Sequence, residues 1–236
     1  MKLFIDTADL NEIEDGLKKG VIQGVTTNPS LVAKVPKGDS EKPFLERYVE
    51  HIKKIADLCN KYSPGISLSV EVFTENPSEM VEQAKEIVQM IGYENLAIKI
   101  PAGWEELQAV RELSKQGINV NFTCCFTESQ LLLGVLAGAR YVSLFYNRLI
   151  DYNKANSISE NQLEIIENVR DFIDDSKLDC EIIIGSIRHP KDITDCWSSG
   201  AHIVTAGYKH FKPMTKHPKT DDSIKGFLDD LKEWMK

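Results

Sequence analysis

This sequence predicts an α/β fold, a single (β/α)8 TIM barrel with a C-terminal helix, forming one domain over residues 1–236 with a helical tail from about 221. Three observations carry that expectation. Eight short strand-like runs alternate with stretches of helical periodicity along the chain, the pattern of repeated βα units. Polar residues on these runs keep to one parity, which sorts each strand into a helix-facing side and an axial side. No glycine-rich turn follows Leu3–Asp6, where a doubly wound open sheet usually brings one.

The first strand spans about 3–6 and leads into a helix over 9–19, with Asp9 as N-cap and Glu12 as capping-box partner. The second spans 24–28, after which Leu31 to Lys42 reads as a loop or short insertion before a helix over 43–62. Strands at 67–72 and 96–101 enclose a helix at 77–91, and a helix at 104–116 leads to a fifth strand at 119–124. Thr127 and Gln130 suggest a second capping box, heading a helix over 127–138. A strand at 141–146 is followed by a loop over 150–158 and by a helix at 160–175 capped by Ser159. A strand at 181–186, a helix at 190–199 and a strand at 202–206 complete the eight. In the tail, Ile224, Phe227, Leu228, Leu231 and Trp234 recur at helical spacing as one apolar face, able to cover its own barrel or a neighbour.

Apolar residues make up 42% of the chain and charged residues 27%, which places it among soluble globular proteins. A net charge of −8 argues against nucleic acid as a partner and requires any anionic substrate to be met by a local cluster of Arg or Lys. No apolar run approaches the roughly 18 residues of a membrane span, so no membrane partner is expected. The start, MKLFIDTADL, turns acidic too early for a signal peptide. Cys59, Cys124, Cys125, Cys180 and Cys196 include no CxxC pair and read as reduced thiols in a cytoplasmic protein. The five histidines show no ligand spacing, so no metal or other cofactor is expected.

The polar parity locates the chemistry. Ser67, Ser69 and Glu71 share one face, opposite Leu68, Val70 and Val72. Asn119, Asn121 and Thr123 fall together, and Ser143 goes with Tyr141 and Phe145. Asp6 closes the first strand, Thr26 and Asn28 share a face of the second, and Ser186 ends the seventh. One such residue alone would read as a hydrogen-bonded core residue. Seven strands each placing one on the same side converge instead on the axis near the C-terminal strand ends, where barrel active sites lie.

Among them is a lysine. In Leu96-Ala97-Ile98-Lys99-Ile100-Pro101, Lys99 sits inside an apolar run, and a lysine is seldom buried without a partner. An edge strand reaching solvent is the bland account. In axial company, Lys99 reads instead as an enclosed amine that sheds its proton and attacks a carbonyl. Asp6 and Glu71 then offer a separated acid/base pair, one of them able to stay protonated. Asn28, Asn121, Thr123 and Ser143 suit a polyhydroxylated ligand. Arg148 and Arg188, near Ser186 at the barrel mouth, suit a phosphate. These parts suggest imine formation on a ketose phosphate followed by carbon–carbon cleavage, with the protonated imine as electron sink. A barrel that binds sugar phosphate without turnover is the remaining class, and it would not need an enclosed lysine.

The stretches FIDTA, GVTTNPSL, IKIP, NRLID and GSIR occur in an order and at a spacing that resemble the transaldolase family, particularly its short, fructose-6-phosphate-aldolase-like members. The resemblance runs from Met1 to about residue 210. It implies Lys99 as the imine-forming residue, Asp6 as acid/base for the carbon–carbon step, and a catalytic water held by Glu71 and Thr123. It further implies Asn28, Asn121 and Ser143 on the sugar, beside Thr26, and Arg148, Ser186 and Arg188 on the phosphate. Transaldolases pass a dihydroxyacetone unit from ketose phosphate to aldose phosphate in the pentose phosphate pathway; the aldolases release it free. The aldolases carry Gln, Ala and Tyr where Glu71, Ser143 and Phe145 stand, so the resemblance favours transfer. Short family members form homo-oligomers, decamers built from two pentamers, in which the tail helix reaches a neighbour. Two features depart from the pattern: Leu144 stands where proline is usual, and Cys124-Cys125 has no evident role.

Overall fold

The computed structural model describes residues 1–39 and 41–235. Its centre is the expected barrel. Strands β1 (Lys2–Asp6), β2 (Gly24–Thr26), β3 (Ser67–Glu71), β4 (Leu96–Pro101), β5 (Asn119–Cys125), β6 (Tyr141–Phe145), β7 (Glu181–Gly185) and β8 (Ile203–Ala206) pair in chain order. All pairs are parallel, and β8 returns to β1 to close the sheet.

The two strand faces do different work. Outward residues such as Val70, Ile98, Ile100, Val142 and Ile184 are fully buried beneath the helices. Inward, Phe4, Ala97, Tyr141, Ile183 and Ile203 form a separate apolar cluster on the axis. Gly24 is required there, because a Cβ at that position would overlap the Phe4 ring. The lower barrel is thus plugged with hydrocarbon, and the polar axial residues occupy the level above it.

The first helices are α1 (Leu10–Lys18), α2 (Pro29–Val32), α3 (Phe44–Tyr62) and α4 (Pro77–Ile91). Asp9 caps α1 by accepting from the Asn11 and Glu12 amides. Glu12 completes no capping box, since its carboxylate accepts instead from Thr7 Oγ1 at 2.7 Å. The loop expected from Leu31 begins two residues late, after Val32: Asn28 accepts from the Leu31 amide and Pro29 opens α2, a favourable start for a helix. The helices α5 (Glu106–Lys115) and α6 (Glu128–Ala137) follow, α6 with the expected Thr127–Gln130 capping box.

Further along, α7 (Tyr146–Ala155) starts directly after β6 and fills most of the segment expected to be a loop at 150–158. It buries Tyr146, Leu149 and Asn153, positions spaced along one helical face. The next helix, α8 (Gln162–Ser176), is capped by Asn161 rather than Ser159. The rest are α9 (Pro190–Ser198), a 3-10 turn at 208–210, α10 (Phe211–Met214) and α11 (Pro218–Trp234). No residue of α11 is buried, and Phe227 is 72% exposed, so this helix does not cover its own barrel. No helix among the described residues is long and apolar enough to cross a membrane.

The pair Cys124-Cys125 gains a structural reason. Register between β5 and β6 shifts from Phe122 opposite Val142 to Cys125 opposite Leu144, which inserts one extra residue in β5. Cys124 occupies that bulge with φ +59°, and Cys125 consequently turns into the helix-facing core.

Candidate active site

Register brings the amine to a carboxylate. Glu71 on β3 pairs directly with Lys99 on β4, so their inward side chains emerge side by side. Lys99 is only 6% exposed, and its Nζ donates to Glu71 Oε2 at 2.7 Å and to the Thr27 carbonyl at 2.9 Å. Thr27 is itself locked, with its amide and its Oγ1 both donating to the Ser69 carbonyl at 3.0 Å. A buried ammonium between a carboxylate and a carbonyl has the partners that its desolvation demands.

Across the axis, Asp6 lies at the end of β1 beside Thr26 of β2. Thr26 Oγ1 donates to Asp6 Oδ1 at 2.8 Å and contacts Thr205 Oγ1 of β8 at 2.6 Å. Asp6 is half-buried and lines the axial pocket. Desolvation therefore dominates and raises the carboxyl above its ordinary value, against the opposing pull of Lys99, the Thr26 hydrogen bond and Arg148.

These groups share a cavity of about 70 Å3 whose wall contains Asp6, Thr26, Asn28, Lys99, Asn121, Thr123, Ser143, Phe145, Arg148, Ser186 and Thr205. Ser143 Oγ donates to Asn121 Oδ1 at 2.6 Å, which fixes the amide and aims its NH2 group towards Ser69 Oγ at 3.4 Å. Thr123 Oγ1 is buried and makes no hydrogen bond among the described residues. Asn28 spends its side-chain oxygen on capping α2, leaving its NH2 group to the cavity. Phe145 is held edge-on by Phe126, ring centroids 5.7 Å apart, and the Arg148 guanidinium lies 4.9 Å from its ring centre. Ser186 follows β7 in a left-handed conformation, φ +61°.

Two expected residues stand apart from this wall. Glu71 reaches the site through Lys99 rather than lining the cavity. Arg188 is exposed and lies outside the cavity, engaged by both oxygens of Asp151. Sequence reasoning missed two groups that the structure adds. The Thr27 carbonyl is a backbone atom that no residue type announces. Thr205 was legible: it shares the inward parity of Ile203, opposite Val204. A larger hollow of about 340 Å3 lies beside α2 and α3, lined chiefly by Val32, Val35, Pro36, Phe44 and Phe73. It holds no carboxylate, whereas the smaller cavity holds Asp6 and Lys99 together.

The polar cavity lies at the C-terminal ends of the barrel strands, the end that carries the active site in enzymes of this fold. The sequence profile described as Transaldolase/Fructose-6-phosphate aldolase matches residues 3–236, and the chain belongs to that family. A probable transaldolase from Brachyspira hyodysenteriae is 41% identical over 98% of this chain and 97% of its own. One from Dehalococcoides mccartyi is 39% identical, with both chains covered completely, and one from Chlorobium phaeobacteroides is 38% identical over 98% and 97%. Among solved structures, a thiamine phosphate pyrophosphorylase from Pyrococcus furiosus superposes with a TM-score of 0.57 over 87% of this chain and 84% of that one. At 10% identity it shares the fold alone.

Proposed function

We propose that the chain is a transaldolase of the Schiff-base type, acting in the pentose phosphate pathway. Its donors are sedoheptulose 7-phosphate or fructose 6-phosphate, and its acceptors are glyceraldehyde 3-phosphate or erythrose 4-phosphate. The observation that carries this reading is the position of Lys99 Nζ, 2.7 Å from the Glu71 carboxylate and on the same cavity wall as Asp6.

The amine must lose a proton before it attacks, and Glu71 is the neighbouring base able to take it. Attack on the ketose carbonyl gives a carbinolamine, and loss of water gives the imine. Thr123, with its uncommitted hydroxyl, suits the departing water. The protonated imine then draws in the electron pair of the C3–C4 bond while Asp6 takes the proton of the C4 hydroxyl. The aldose leaves, and a dihydroxyacetone enamine stays on Lys99. An incoming aldose runs the same steps backwards. Asn28, Asn121, Ser143 and Thr26 orient the sugar hydroxyls. Arg148, Ser186 and Arg188 receive the phosphate, with Arg188 exchanging Asp151 for it.

The wall beside the enamine supports transfer over release. Phe145, held by Phe126, offers no proton donor to the carbanionic carbon. The competing reading, a fructose-6-phosphate aldolase, is favoured only by the joint family description. Product analysis with fructose 6-phosphate, with and without erythrose 4-phosphate, separates them. A transaldolase forms sedoheptulose 7-phosphate and little free dihydroxyacetone; rapid acceptor-independent cleavage identifies an aldolase.

The reading extends to a cytoplasmic homo-oligomer. The face formed by Ile224, Phe227, Leu228, Leu231 and Trp234 on α11 is uncovered by its own chain. A lone helix of this length is marginal in water, so a second copy of the chain is its partner. Mass measurement in solution tests this, and a monomer would refute it.

A further inference from the structure

Thr205 has no part in the chemistry proposed above, yet its side chain occupies the axis. On β8, Val204 and Ala206 face the helices while Ile203 joins the axial cluster, so Thr205 points inward one level above that hydrocarbon plug. It is 6% exposed and Thr26 is 3% exposed, so neither hydroxyl can turn to bulk water for a partner. Their oxygens are 2.6 Å apart, and Thr26 Oγ1 is 2.8 Å from Asp6 Oδ1.

The direction of this chain is dictated by proton counting. Each hydroxyl carries one proton, and an ionised carboxylate only accepts. With Asp6 ionised, the Thr26 proton goes to Asp6, and Thr26 Oγ1 must itself be served by Thr205. With Asp6 protonated on Oδ1, Asp6 donates to Thr26, whose own proton then turns to Thr205. Only the ionised carboxylate, with no proton on either oxygen, fixes the single polarity that runs from Thr205 through Thr26 to Asp6. We propose that Thr205 is a positioning residue for the aldol step: its hydroxyl donates to Thr26 Oγ1 and so commits the Thr26 proton to the Asp6 carboxylate. Hydrogen bonds in series strengthen one another in a site of low dielectric, so the last hydroxyl matters to a carboxylate it does not touch. Burial, which pushes this carboxyl towards its neutral form, is what the chain opposes.

This inference rests on the Schiff-base reading, and the experiment keeps the two apart. Thr205→Val preserves shape and removes the hydroxyl; Thr205→Ser restores it. The other charges facing Asp6, namely Lys99 and Arg148 with Glu71, are untouched in both variants. For Thr205→Val, kcat should fall roughly 2- to 10-fold near pH 7 with KM for the ketose phosphate little changed. The acidic limb of kcat/KM should move to higher pH, because Asp6 is harder to ionise. Thr205→Ser should recover both. Borohydride reduction with substrate should still label Lys99 in every form. If wild type gives no such adduct, the Schiff-base reading has failed. If wild type labels but Thr205→Val keeps the wild-type rate and acidic limb, this inference alone is overturned. A rate loss with an unmoved acidic limb, or one that serine does not repair, overturns it as well.

Discussion

Replacing Lys99 with methionine tests the resting state of the site as well as its chemistry. Methionine approximates the volume of the lysine stem, so the barrel should fold, and the borohydride-trapped adduct should vanish with turnover. Stability should nevertheless fall. The Lys99 and Glu71 side chains are only 7% and 15% exposed and share a 2.7 Å contact, so the change strands a largely buried carboxylate. Breaking such a pair costs several kcal/mol. Because the Glu71 side chain keeps some exposure and Lys99 no longer needs desolvating, about 2–4 kcal/mol is the expected loss. For a chain of this size that lowers the melting temperature by about 5–15 °C. Removing the stranded charge with Glu71→Gln in the Lys99→Met background should recover much of it, and a double-mutant cycle isolates the pair. Thermal denaturation followed by circular dichroism is the assay. A Lys99→Met protein as stable as wild type would refute an ionic Lys99–Glu71 pair at rest.

Three other perturbations probe the rest of the site. Asp6→Asn should abolish transfer yet raise the melting temperature near pH 7. Its carboxyl is raised by burial, so ionising it costs the folded state above the ordinary value of 3.8; as pH falls towards that value, both states bind the proton and the gain should disappear. Arg188→Ala should reduce kcat/KM for phosphorylated substrates roughly 10- to 150-fold and leave unphosphorylated analogues nearly unchanged; equal losses for both would remove Arg188 from phosphate binding. Phe145→Tyr should bring a hydroxyl beside the enamine, increasing free dihydroxyacetone from fructose 6-phosphate at the expense of transfer; an unchanged product ratio would show that this ring does not decide the fate of the intermediate.

The residues alone carried the fold class and most of the cavity wall, because both depend on periodicities local to the chain. An alternating strand places Glu71, Lys99, Asn121 and Ser143 on one side whatever the rest of the molecule does, and closure of a parallel sheet turns that side to the axis. Local signals were weaker at boundaries. Asn28 followed by Pro29 starts a helix where the run up to Lys42 looked irregular, and α7 follows β6 with no loop between them. Other features belonged to the tertiary structure because they join residues distant in sequence. Parity assumes an unbroken ladder, so the extra residue at Cys124 could be found only by pairing β5 with β6. The carbonyl that holds Lys99 comes from Thr27, 72 residues away, and every residue type has a carbonyl. Arg188 finds Asp151 because the loop after β7 comes to lie beside α7. The apolar face of α11 was plain from its spacing. That its own barrel leaves it bare depends on where the chain runs after β8, which helical periodicity does not specify.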